Sequence, residues 1–389
     1  MTQNLQAPDV QAPAADAATG DAMAPIQTAA ERPTDLQQQI DAIVAQAKRD
    51  IDKGWLPSCQ LAVARDGALL AFETLGDATN DTRYCIFSAT KPIVASAIWM
   101  LIADGLLDVS LPVAHYVPEF AGEGKGAVTV EQVMLHTCGF PNAPMRPQEG
   151  VDPTARLARL ATWRLDWEPG TQFAYHAVSA HWVLVELIER LGNMDYRDFL
   201  YERVCQPLGL PRLLGIPAGQ QPGIAPLTWI GEGSGTIGAG DLSFMWDGPE
   251  MVAIGAPGAG GIATAAELAM FYQALLHNPG KLWDPDVLED AKTNIRCTLP
   301  DPRMGIAVNR TLGLVVAGDD GMHTMRYGAF AEANSPRAFG HAGAHVQVAW
   351  ADPDTGVSFV YLTNGLDTNT VKEGVRGLRL SNLAAGLYR

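Results

Sequence analysis

Phe87-Ser88-Ala89-Thr90-Lys91-Pro92 is the stretch around which the chain is organised, together with the apolar run Ile93 to Ile102 that follows it. Ser88 stands three residues before Lys91, and positions i and i+3 share one face of a helix. A hydroxyl and an amine held on that face exchange a proton. Serine at its free pKa is a poor nucleophile and needs an adjacent base. Lysine serves as that base only when desolvation or a neighbouring cation lowers its pKa. The run after Pro92 is apolar nearly all round, so it predicts a buried helix with Lys91 at the lip of a dry core. Pro92 is tolerated in a first helical turn, and Gly105 supplies the stop. Of the seven lysines, only Lys91 has a serine three places before it.

Composition bounds the possibilities. The 389 residues suffice for two or three domains, and 47% apolar content builds a sizeable core. The net charge of -16 is spread along the chain without basic clusters. That argues against nucleic acid as a partner. The five cysteines (Cys59, Cys85, Cys138, Cys205, Cys297) are scattered, with no Cys-x-x-Cys pair. They read as buried free thiols of a reducing compartment. No apolar run reaches membrane-spanning length. Residues 1–33, rich in Ala, Gln, Pro, Asp and Thr, lack basic and apolar leader regions. They are expected to form a disordered arm, and a cytoplasmic location is the expectation.

Helical spacing of Leu36, Ile40, Ile43, Val44, Ala47 and Ile51 predicts a first helix over 36–53. A hairpin follows, with strands at 59–64 and 68–75 around Asp66-Gly67. From 106 to 210 the texture is helical. Thr129-Val130-Glu131-Gln132 is a capping box, and helices are predicted over 153–162, 178–191 and 195–210. Residues 211–260 are loop-rich in the manner of lids or binding loops. Gly258-Ala259-Gly260-Gly261 precedes a helix over 264–277. The glycine run reads as close backbone packing rather than a phosphate cradle. Residues 304–308 and 312–316 are expected to pair as strands. A second hairpin is predicted from 345–350 and 357–363, and a last helix over 371–388. Sheet elements at both ends with helices between give an α+β fold. In it an antiparallel sheet flanked by helices (34–110 and 255–389) joins a second, mostly helical domain (111–254) with lid-like loops.

Four stretches in order resemble the serine hydrolases related to class C β-lactamases, DD-peptidases and family VIII carboxylesterases, across roughly residues 36–389. Ser88-Ala89-Thr90-Lys91 matches that family's Ser-x-x-Lys. His136-Thr137-Cys138-Gly139-Phe140 is similar to its His-Thr-Ser-Gly loop. Tyr175-His176-Ala177 falls at its Tyr-x-Asn, and His341-Ala342-Gly343 at its Lys-Thr-Gly or His-x-Gly. The resemblance implies a β-lactamase/transpeptidase-like fold. It makes Ser88 the acylated nucleophile, with Lys91 and Tyr175 sharing general-base work, each lowering the other's pKa. The backbone N–H groups of Ser88 and Ala344 would form the oxyanion hole. His341 and Gly343 would line the substrate wall.

Two departures bear on substrate. Ala177 stands where the lactamases carry Asn, and His341 where they carry a Lys that attracts a carboxylate. Both weaken recognition of a β-lactam and leave attack on an ester unharmed. A small-molecule carboxylic ester is therefore the favoured substrate. β-Lactamase, D-amino acid amidase or peptidase, and acyltransferase activities remain as alternatives, as does an idle acyl- or peptide-binding homologue. Cys138 replaces a serine and places a thiol near the site. Trp229 and Trp246 are candidates to line an acyl pocket. His136, His176 and His181 read as structural. His341 and His345 lie on a probable strand with no carboxylate at ligand spacing, so neither a metal nor another cofactor is expected.

Overall fold

The computed structural model describes residues 34–230 and 246–388. The expected arm over 1–33 and the middle of the loop-rich stretch lie outside the described residues. In chain order, helix α1 (Thr34–Asp52) leads to strands β1 (Ser58–Arg65), β2 (Ala68–Gly76) and β3 (Tyr84–Phe87). A 3-10 turn at Ser88–Thr90 runs into α2 (Lys91–Ala103). The helical part holds α3 (Ser179–Gly192). After it come β4 (Thr228–Ile230), β5 (Gly261–Ala263), α4 (Ala265–His277), β6 (Val315–Val316) and β7 (Phe339–Gly340). The chain closes with β8 (Val348–Asp352), β9 (Val357–Thr363), β10 (Gly365–Asp367) and α5 (Thr370–Ala385).

Early and late strands join in one sheet of order β2-β1-β9-β8-β7-β6, antiparallel throughout. Alternation along the strands divides its side chains between two cores, as a period of two requires. Leu61, Val63, Trp350, Phe359 and Tyr361 pack with Leu36, Ile40 and Ile43 of α1 and Leu380 of α5. Ala62, Ala64, Ala349, Val360 and Leu362 face the larger core with α2 and α4. The small residues on that side let α4 lie close to the sheet. α2 is buried from Lys91 to Leu101, and Gly105 adopts the left-handed φ of 68° that ends it. Among the described residues no helix is long and apolar enough to cross a membrane.

Several expectations need correction. Residues 304–308 and 312–316 do not pair with each other as strands. Pro300 bridges Ala307, Cys297 bridges Arg310, and Arg310 bridges Val315. β6 then pairs with β7. The second hairpin begins at Val348 rather than at His345, because His345 and Val346 take positive φ of 53° and 66° and form a turn. The helix expected over 195–210 breaks into an α-helical turn, a π-helical turn and a 3-10 turn, ending before Gly209. A helix over Pro285–Thr293, capped by Asp284, was not anticipated. The capping box at Thr129 and Gln132 is formed.

Candidate active site

β3 delivers Ser88. Its last residue, Phe87, has φ 44° and ψ -131°, an unusual conformation for a side-chain-bearing residue. Backbone strain of this kind persists only where surrounding structure holds it. The Thr90 hydroxyl, 2.6 Å from the Phe87 carbonyl, donates to it and accepts the Gly261 N–H at 2.9 Å. A Cβ at Gly261 would fall 2.5 Å from Thr90 Oγ1. The glycine run is thus close backbone packing against the serine turn, with β5 paired to β3.

Lys91 is 1% exposed. Its Nζ lies 3.2 Å from Ser88 Oγ, and it donates to the carbonyls of Ala177 at 2.9 Å and Gly258 at 2.7 Å. Among the described residues no carboxylate pairs with it. Burial, helped by the positive charge of Arg310, holds its pKa well below that of a free lysine. A neutral amine has two N–H bonds and one lone pair. The two carbonyls take the hydrogens, and the remaining direction faces Ser88.

Tyr175 comes from the connection before α3 and meets Lys91 from the other side, with Nζ 5.0 Å from its ring centroid. Its hydroxyl is buried without a well-formed hydrogen bond. Burial pushes its pKa up to about 12; Arg310 and the nearby Ser88 hydroxyl pull the other way and lose. The expectation that lysine and tyrosine each lower the other's pKa therefore fails for Tyr175, because desolvation of a phenolate outweighs nearby positive charge. Tyr175 stacks on Tyr327, with centroids 5.0 Å apart and planes 13° apart.

His341 lies behind this group, its ring 6.0 Å from that of Tyr175. Nδ1 is 2.8 Å from the Ala342 carbonyl, which only accepts, so Nδ1 carries the proton. Burial first, then Arg310 and Lys91, keep the ring neutral. His136, His176 and His181 are buried and also depressed, by burial above all. His176 is held by the Phe140 N–H and the Ala174 carbonyl. Cys138 is fully buried, and burial drives its thiol pKa well up. All five cysteines are buried and unpaired. Among the described residues no three His, Cys, Asp or Glu side chains are placed to hold a metal ion.

A Cβ at Gly343 would fall 2.2 Å from the Ile86 carbonyl. The segment 341–344 is therefore pressed against the strand that carries Ser88, and Ala344 follows on the exposed side. Trp229 stands edge-on to His345, their rings 5.7 Å apart, and packs near Phe87. Trp246 packs against the same cluster and also lines a cavity of about 170 Å³ with Met145, Pro147, Val178, Trp182 and Met251. Val178 adjoins Ala177, whose carbonyl binds Lys91.

The sequence reading missed Arg310. Its guanidinium carbon is 5.2 Å from the Tyr175 ring centroid. A signal existed: one arginine inside the apolar stretch Gly305–Val316.

A serine, a buried lysine without an acidic partner among the described residues, and a phenol meet where an antiparallel sheet faces a helical region. That is the arrangement of the β-lactamase and penicillin-binding-protein fold. Residues 36–383 match the family model Beta-lactamase, and the chain belongs to that family. The esterase/beta-lactamase LipL of Mycobacterium tuberculosis is 30% identical over 318 residues, covering 74% of this chain and 70% of that protein. A putative D-alanyl-D-alanine carboxypeptidase of Salmonella agona is 25% identical over 371 residues, 84% of this chain and 83% of that one. Among solved structures, a penicillin-binding protein homologue from Caulobacter crescentus superposes with TM-score 0.72 at 26% identity, covering 89% of this chain and 96% of that one. A family VIII carboxylesterase gives TM-score 0.73 at 23% identity, with 92% and 99% covered, a likeness of fold.

Proposed function

We propose that the protein hydrolyses carboxylic esters of short to medium acyl chains through a covalent acyl-enzyme on Ser88. The hydrogen bonding of Lys91 carries the proposal: two backbone carbonyls occupy its N–H bonds and Ser88 Oγ sits 3.2 Å from Nζ. Lys91 takes the Ser88 proton as Oγ bonds to the ester carbonyl carbon. The carbonyl oxygen becomes an oxyanion, received by the N–H groups of Ser88 and Ala344. The intermediate collapses, the C–O bond to the alcohol breaks, and Tyr175, still a phenol at neutral pH, protonates the departing alkoxide. The Lys91 ammonium returns that proton to Tyr175. Water then attacks the acyl-enzyme, Lys91 takes its proton, and Ser88 leaves reprotonated with the acid released.

The choice of ester over β-lactam rests on charge. His341 is neutral and buried and offers no cation to a substrate carboxylate. Ala177 presents only a methyl group, with its carbonyl turned to Lys91. An apolar cavity opening beside Val178 suits an aliphatic acyl chain. The name of the mycobacterial relative, esterase/beta-lactamase, carries both chemistries and is compatible with ester hydrolysis without choosing between them.

Activity requires unprotonated Lys91 and protonated Tyr175. It therefore falls as pH drops through the depressed lysine pKa, and again as pH rises toward about 12. The test is turnover of p-nitrophenyl butyrate, nitrocefin and a D-alanyl amide by one preparation, with Ser88→Ala alongside. Ester turnover and fluorophosphonate labelling are expected in the wild type and absent in Ser88→Ala. Faster turnover of nitrocefin or the amide than of the ester would overturn the substrate assignment.

A further inference from the structure

We propose that Arg310 is a positioning residue whose fixed positive charge, buried against the ring of Tyr175, adds to burial in holding the neighbouring Lys91 amine in its proton-accepting form. The inference rests on the reading of Lys91 as the base. Arg310 is 1% exposed. Its guanidinium carbon lies 5.4 Å from the ring centroid of Phe173, 5.2 Å from Tyr175 and 5.7 Å from Tyr327. Among the described residues Nε and Nη2 have no hydrogen-bond partner, and no carboxylate forms an ion pair with it. Arg156, equally buried, shows the contrast: it is ion-paired to Glu186 at 2.9 Å and to Glu189. A guanidinium stripped of water and left without a counter-ion is costly. Three aromatic faces offset part of that cost.

Among the described residues, the surroundings leave Arg310 as the one fixed charge facing the pair. The groups around Lys91 and Tyr175 are Ser88, His136, His176, His181, Tyr327, His341 and Arg310. The four histidines are held neutral and Tyr327 protonated, all chiefly by burial. Beyond Arg310 lie Cys297, Arg303 and Asp301. Asp301 is the acid within electrostatic reach, and its Oδ1 accepts the N–H groups of Arg303 at 2.7 Å and Met304 at 3.2 Å rather than the guanidinium.

Lys91 Nζ is 5.0 Å and the Arg310 guanidinium 5.2 Å from the same ring centroid, so the two charges stand at most about 10 Å apart. At an effective dielectric constant near 20, that repulsion moves a titration by about one pH unit. Protonating Lys91 would add a second buried cation, which Arg310 opposes. The same charge favours the Tyr175 phenolate but does not outweigh burial. The net effect is an amine free to accept the Ser88 proton.

The experiment compares wild type, Arg310→Met, Arg310→Gln and Arg310→Lys. It has two readouts. One is the pH dependence of kcat/KM on p-nitrophenyl butyrate. The other is acetylation of the Lys91 amine by acetic anhydride across pH, in a Ser88→Ala background, followed by peptide mass spectrometry. In both neutral variants the acid limb and the Lys91 titration should rise by about one pH unit. Rates below the limb should fall about tenfold and recover on the alkaline side. Arg310→Lys should keep the wild-type limb. Met replaces a buried charge by an apolar side chain, so its melting temperature should hold or rise. If Met does not fold, Gln provides the neutral comparison, and the wild-type and Lys profiles bracket it. A uniform loss at every pH, or an unmoved Lys91 titration, overturns the inference. Absent ester turnover with a shifted Lys91 titration overturns the ester reading instead.

Discussion

Replacing Gly258 with alanine tests the geometry of the lysine without replacing any side chain of the site. The Gly258 carbonyl accepts from Lys91 at 2.7 Å. A Cβ added there would stand 2.8 Å from the Ala177 carbonyl oxygen, the lysine's other acceptor, and 3.5 Å from Nζ. The first contact is roughly half an ångström short of ordinary van der Waals distance. Gly258 does not occupy the left-handed region, so alanine meets no backbone penalty and the effect is one of space. Relief requires the Ala177 or Gly258 backbone to retreat. Either movement lengthens a hydrogen bond that aims the amine at Ser88. A displacement of about 1 Å from productive geometry costs about 10²-fold. A shift of half that size should lower kcat by roughly 10-fold, with KM little changed. Overpacking should cost about 1–3 kcal/mol, a drop of a few degrees in melting temperature. Steady-state kinetics on p-nitrophenyl butyrate and differential scanning fluorimetry check both numbers. A variant that is destabilised as stated but keeps kcat within twofold of wild type would refute the claim that these two carbonyls aim the base.

Further expectations follow from the same site. Tyr175→Phe removes the proposed proton donor, so loss should reach about 10²-fold on an alkyl ester, whose alkoxide leaves poorly. The loss should be far smaller on a p-nitrophenyl ester, whose leaving group needs no proton; equal losses in a paired assay would exclude the acid role. Val178→Trp should fill the cavity shared with Trp182, Trp246 and Met251. It should shift preference from butyrate toward acetate by at least about tenfold, in line with one or two methylenes of pocket discrimination. An unchanged chain-length profile would show that the acyl group lies elsewhere.

The reasons for reading the site from sequence differ residue by residue. Ser88 and Lys91 are three residues apart, so local geometry fixes their encounter wherever the helix is placed. The apolar run after Pro92 announced burial, and burial is what lowers the lysine pKa. Tyr175 was legible only by resemblance, since its 87-residue separation from Ser88 carries no local signal. Its protonation state was misjudged because a sequence shows neighbours of unlike charge but not the depth at which they lie. Asn309-Arg310-Thr311 misled for a related reason. A polar triplet between two apolar runs has the look of a hairpin turn, yet the chain bridges Arg310 to both Cys297 and Val315, which takes the side chain inward.

By itself, then, the sequence determined the parts set by spacing and period. These were the helix that opens on Lys91, the first hairpin, the two terminal helices and the joining of early and late strands into one antiparallel sheet. Short-range sterics and hydrophobic periodicity suffice for the helices and the hairpin, and the joining of the strands follows from the order of elements and the need to bury their apolar faces. Tertiary structure alone decided which backbone carbonyls claim the lysine's hydrogens, that the phenol stays protonated, and that an arginine with no ion-pair partner among the described residues stands behind it. Those outcomes depend on desolvation and on charges brought together across more than two hundred residues of chain, quantities that no local stretch of sequence encodes.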